Sequence, residues 1–155
     1  MKLSRFFELV RRYGVAADPR GGKKNIAGYA DSAILNGSME ADVRKILVGI
    51  DIDTPELLLA DRIRRQSGLD LVLAHHPQGK ALAGLYGVMQ LQVDILRSAG
   101  IPEQVAQGYL NDRKRQVMRR LSSGNHNRAV DAARLLNIPM VCAHTPADNH
   151  VFQFI

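Results

Sequence analysis

The segment 46–76 does most to fix what this chain can become. Ile46-Leu47-Val48-Gly49-Ile50-Asp51-Ile52 is a nearly unbroken β-rich run, the pattern of a strand covered on both faces. Asp53, Thr54 and Pro55 follow, an N-cap and first-turn signal for a helix to about Gln66, which Gly68 ends. A second apolar run, 69–74, leads straight into His75-His76-Pro77. Strand, helix and strand in this order predict a βαβ unit at 46–76, with a right-handed crossover and parallel pairing. The expected fold class is therefore α/β: a mostly parallel sheet with flanking helices.

The flanks extend that reading. Residues 3–13 carry Leu3, Phe6, Leu9, Val10 and Tyr13 at helical spacing, with Gly14 at the end. From Val15 to Asp42 the chain reads as loop. Its PRGGKKN segment lacks phosphate-loop spacing and reads as a flexible basic loop. Residues 82–98 are apolar on more than one face, as in a helix buried within the domain or against another subunit. Pro102 opens another helix, with Ala106, Leu110, Val117 and Leu121 on one stripe. A further helix over about 126–137 turns Val130, Ala133 and Leu136 inward, with Leu135 beside them. Residues 138–143 then form a third strand, and His144 stands where it ends.

At 155 residues the chain suits a single α/β domain, 1–155, and no apolar run approaches membrane-helix length. Cys142 is the one cysteine, which excludes an internal disulfide and fits a reducing cytoplasm; its apolar setting reads as core. The formal net charge of +6 owes much to Arg113, Lys114, Arg115, Arg119, Arg120 and Arg128. With no Trp, and every Phe near a terminus, such a face can hold phosphates but offers little for stacking bases. A solvated helix face, or one meeting an acidic partner, accounts for it more simply.

Three predicted parallel strands finish at Asp51/Asp53, His75-His76 and His144, and open α/β sheets bind ligands beyond the carboxyl ends of their strands. Neutral imidazole is the commonest protein ligand for first-row metals, so the pair His75-His76 at a strand end makes a metal platform. Two ordinary loop histidines, one solvated and one hydrogen-bonded, would read the same way in isolation. The convergence of three strand ends is what favours a site.

The ordered set KILVGIDID, DLVLAHHP and IPMVCAHTPAD, with ADSAILNG upstream, resembles the dinuclear-metal-centre family known as GTP cyclohydrolase 1 type 2-like, or NGG-interacting-factor-three-like. Members show a strand ending in Leu-Asp, one ending in His-His-Pro, a later His-Thr-Asn-Leu-Asp, and an upstream Trp-Asp-Asn, here without its Trp. The match spans about residues 28–77 and 138–149. It implies that His75, His76 and Asp148 ligate metal, and that His144 lies beside the metals as a ligand or proton carrier. It also implies a divalent cation (Zn, Mn, Fe, Mg or similar), two per site in the family, and a ring-like homohexamer. The family completes its site with a distal His and Glu that have no counterpart after Asp148. The resemblance thus makes this chain the N-terminal part of a longer member, with a helical insertion at about 82–137.

Three functions follow as expectations. The first is a metal-dependent hydrolase acting on a small anionic or nucleotide substrate, with GTP ring opening as the family's named reaction. The second is a metal-binding scaffold or regulatory subunit without turnover. The third is a nucleic-acid-associated module using the basic segment. His144 and His126 are the candidates for proton transfer. His126 reads equally as an exposed capping-region histidine, and Asp51 as a helix cap or as a group orienting a metal-bound histidine. His150 is a substitute ligand or a side chain pointing away; Lys80 is an anion contact or a plain surface lysine. The surplus apolar surface of 82–98 and of Val151–Ile155 predicts self-association.

Overall fold

The computed structural model describes residues 1–20 and 28–155. The basic loop reading falls largely on 21–27, outside the described residues. Helix α1 (Leu3–Ala16) is followed by strand β1 (Ala33–Asn36), strand β2 (Ile46–Gly49), helix α2 (Thr54–Ser67) and strand β3 (Leu71–Ala74). Then come α3 (Gly79–Ala83), α4 (Leu85–Val88), α5 (Gln90–Ser98), α6 (Glu103–Ser122), α7 (Arg128–Leu135), β4 (Met140–Cys142) and α8 (Thr145–Phe154). The sheet order is β1-β4-β3-β2, with β2, β3 and β4 parallel and β1 antiparallel to β4. The mostly parallel α/β architecture expected from 46–76 is the one observed.

The βαβ unit forms for the reasons its sequence carries. Asp53 and Glu56 close a capping box around the first turn of α2, Pro55 sits where no helical N–H is needed, and Gly68 ends the helix. Leu57 and Ala60 of α2 are fully buried against Val72 and Ala74 of β3. Burying a leucine side chain of this kind stabilises the fold by roughly 1.5–3 kcal/mol. Helix α7 adds Ala129, Val130 and Ala133 to the same core, together with Met140 and Cys142 of β4. The opposite sheet face packs Leu71 and Val141 under Leu3 of α1, with Phe6 and Phe7 alongside. The sheet is therefore sandwiched between α1 on one side and α2 with α7 on the other.

Several expectations change. The stretch 15–42 is not all loop: α1 continues to Ala16, and β1 pairs with β4. The apolar segment 82–98 is not one helix but breaks into the end of α3, α4 and α5. At Gly84 an added Cβ would lie 2.8 Å from the Ala30 carbonyl oxygen, so a side chain there would collide with that backbone. Of its large apolar residues only Tyr86 is strongly exposed; Val93 is fully buried and the rest are half-buried. Helix α7 is shorter than expected, and Leu135 points outward with 89% exposure. Among the described residues, no helix is long and apolar enough to cross a membrane.

Candidate metal centre

Parallel pairing brings the carboxyl ends of β2, β3 and β4 to one rim, and hydrogen bonds continue past the strands to hold it. The His75 N–H donates to Gly49 O at 2.8 Å, the His76 N–H to Ile50 O at 2.9 Å, and the Ala143 N–H to Ala74 O at 3.0 Å. His75, His76 and His144 are thereby presented together. Their ring centroids are 5.1 Å (His75–His76), 4.9 Å (His75–His144) and 6.0 Å (His76–His144) apart. One nitrogen from each ring lies within 4.8 Å of the others. Among the described residues this is the one such grouping of three or more His, Cys, Asp or Glu.

The second nitrogen of each ring is spoken for. His75 Nδ1 is 3.3 Å from Ala143 O, His76 Nδ1 is 2.7 Å from Asp51 Oδ1, and His144 Nδ1 is 2.9 Å from Asp31 Oδ2. An oxygen that can only accept requires N–H at Nδ1, and in the neutral imidazole that leaves Nε2 as a lone-pair donor. Metal-binding histidines are characteristically oriented in this way, by a carbonyl or carboxylate behind the ring. The donor chemistry therefore fits a first-row divalent cation.

Asp148 lies at the edge of the group. Its Oδ1 is 3.5 Å from His75 Nε2 and its Oδ2 is 3.6 Å from His144 Nδ1, with the side chain half-exposed. It sits on the first turn of α8, and a buried polar network holds that helix in place. Asn149 Nδ2 donates to Gly14 O and to the Tyr29 hydroxyl, both at 2.9 Å, and that hydroxyl donates to Asp18 Oδ2 at 2.8 Å. Helices α1 and α8 touch at Gly14, where an added Cβ would come within 2.5 Å of Pro146 Cβ. A side chain at position 14 would thus push away the helix that carries Asp148.

Asp31 is the site residue that the sequence reading did not single out. It has no exposed surface, and its Oδ2 also accepts from Thr145 Oγ1 at 2.6 Å. The signal was its place in the ADSAILNG segment, one of the stretches that carry the resemblance. The hydrogen bond to Asp31 raises the His144 pKa above its ordinary value; burial opposes the rise, and the charges of Asp148 and Asp31 add to it.

The remaining candidates lie elsewhere. The His126 ring is engaged by the Leu121 carbonyl at the end of α6, and its own carbonyl accepts from the Gly79 N–H. It braces the turn that follows the histidine pair and does not join the three-imidazole group. His150 is exposed and lines an apolar groove, about 630 Å³, that also reaches His75. Lys80 is exposed and faces the β1 side instead. Asp51 orients His76, and Asp53 takes the capping role. Within the basic segment, Arg115 pairs with Asp112, Arg128 with Asp53, and Lys114 bonds Gln90. Arg113, Arg119 and Arg120 are exposed.

No family model matches the chain. No curated protein sequence matches it either. Among solved structures, it is similar to a NIF3 superfamily protein from Sphaerobacter thermophilus, with 29% sequence identity and a TM-score of 0.73. The match covers 92% of this chain and 48% of that one, so this chain spans about half the length of the solved relative. In fold and in sequence, the likeness is to the NIF3 superfamily.

Proposed function

We propose that this chain is a NIF3-like metal-binding protein, with His75, His76 and Asp148 as ligands and His144 beside them as a further ligand or a proton carrier, serving a hydrolase-type reaction on a small anionic or nucleotide substrate. One observation carries the reading: three imidazoles meet at one sheet rim, each with Nδ1 held by an oxygen. A bound divalent cation would supply Lewis acidity, lowering the pKa of water and polarising a carbonyl or phosphoryl oxygen. The protein's part is orientation. Ala143 O, Asp51 and Asp31 fix the rings, and the strand-end hydrogen bonds fix the backbone beneath them. In the proton-carrier role, His144 would rely on Asp31 behind its ring to stabilise the charged form. His126, with its ring against the Leu121 carbonyl, stands apart from the three imidazoles.

The experiment is metal analysis of the purified chain, followed by calorimetric titration with Zn and Mn and by hydrolysis assays on phosphoesters and GTP. Metal-dependent turnover lost in His75→Ala supports the hydrolase reading. Metal binding without turnover on any of these substrates supports a metal-binding scaffold, the second reading. That reading is favoured by the size of the donor set, which suffices for one cation among the described residues while Asp148 remains half-exposed. Nucleic-acid binding through α6 requires affinity that falls steeply with salt.

A further inference from the structure

The apolar groove, about 630 Å³, lies on the side of the sheet that carries α1 and ends at the metal centre, and its size is in the range of small-molecule sites. Helix α1 covers Leu71 and Val141 but leaves Val48 65% exposed, so Val48 and its cross-strand partner Leu73 form an open floor. Phe6, Leu9 and Val10 of α1 make one wall. The groove follows the strand direction. It begins at Met1, which the Val43 N–H holds through Met1 O at 2.7 Å, ahead of β2. It finishes at His75, just past β3, with Ala147 and His150 of α8 beside it. The four residues of β2 alone span about 13 Å.

We propose that this groove holds the straight acyl or alkyl chain of an anionic ligand whose head group sits at the three-imidazole rim, an inference that rests on the metal centre proposed above. Continuity is the first ground. His75 lines the groove, and its Nε2 is 3.5 Å from Asp148 Oδ1 at the edge of the centre. The distribution of polar side chains is the second. His75, His150 and Tyr13 are gathered at that one end, Tyr13 lying next to Gly14 where α1 meets Pro146 of α8. Along the rest of the groove the lining side chains offer no hydrogen-bond donor or acceptor. A nucleoside or an extended peptide would bury polar groups there without partners, whereas a methylene chain has none to bury. The head group follows from the donor set, because a divalent cation held by imidazole and carboxylate takes an oxygen anion at an open position. Within the hydrolase reading, the substrate is thus a small anionic molecule carrying an apolar chain rather than a nucleotide.

The test has two arms. In the metal-free arm, sodium octanoate is titrated into the chain while its amide and methyl resonances are followed by NMR. Saturable shifts gathered at Leu9, Val10, Val48 and Leu73 are expected. Shifts that are absent, or that fall instead on the exposed Leu58, Leu59 and Leu135, overturn the proposal. In the zinc-loaded arm, calorimetry compares acetohydroxamate, butyrohydroxamate and octanohydroxamate. Full burial of a methylene is worth about fourfold in affinity, so a rise of about two- to fourfold per methylene is expected along the series. Val48→Glu, at an exposed position and checked for folding by circular dichroism, should cut the octano-to-aceto affinity ratio at least about tenfold. Affinity that does not depend on chain length overturns the groove while leaving the metal centre standing, since acetohydroxamate still reports the ion. A chain that takes up no zinc overturns the metal centre and the placement of the head group with it, and the metal-free arm then decides the chain-binding groove by itself.

Discussion

The imidazole of His144 and the carboxylate of Asp31 are joined by a 2.9 Å contact from Nδ1 to Oδ2, and the aspartate has no exposed surface. A buried anion behind a histidine fixes its tautomer and raises its basicity as a ligand. Asp31→Ala is expected to lower divalent-metal affinity by about 10–100-fold. It should also destabilise the fold by roughly 1–3 kcal/mol, because the partners Thr145 and His144 lose their acceptor. Calorimetry and urea unfolding read the two effects separately.

Gly14→Ala should act on the site from a distance. The new Cβ meets Pro146 at 2.5 Å, and overpacking of this sort costs about 1–3 kcal/mol. Because Pro146 and Asp148 share the first turn of α8, metal affinity should fall together with the melting temperature. A lowered melting temperature with unchanged affinity would mean that the α1–α8 contact does not position Asp148.

The acid limb of stability should carry the signature of Asp18. Burial pushes its carboxyl up, but hydrogen bonds from the Arg20 side chain and N–H and from Tyr29 outweigh it, leaving the pKa below its ordinary value of 3.8. A depressed folded pKa means stability present above the unfolded value and lost as pH falls through the folded one. Urea midpoints measured from about pH 5 down to about pH 2 should drop steeply in the wild type. Asp18→Asn should be less stable at neutral pH and show a flatter profile.

Metal removal should leave the fold intact. The core around Leu57, Val72, Val130 and Met140 does not involve the rim, so a mild chelator should extract metal with little change in far-ultraviolet circular dichroism. A large loss of helix signal on chelation would show that the ion is structural.

How much was legible in the sequence follows from where information is local. The capping box at Asp53 and Glu56, the two apolar runs and the strand-end histidines are readable because each signal lies within a few residues. β1 is only Ala33–Asn36, paired antiparallel with a strand more than 100 residues away, and four residues carry no usable alternation. Missing β1 meant missing Asp31, whose role exists only once β1 and β4 are neighbours. The close approach of Gly84 to the Ala30 backbone likewise joins parts of the chain far apart in sequence. Apolar periodicity there did not report the breaks between α3, α4 and α5, and of the large apolar residues only Val93 is fully buried. His126 was readable as a helix-end residue or as a proton carrier, and only the fold places its ring against the Leu121 carbonyl.

The most direct test of the metal centre is calorimetric titration of Zn and Mn into apo wild type, His75→Ala and His76→Ala, with folding checked by circular dichroism. Stoichiometric binding by the wild type, weakened about a hundredfold or more in each folded variant, is the expected result. Wild-type binding that both substitutions leave unchanged would contradict it, and would place the metal away from the three-imidazole rim.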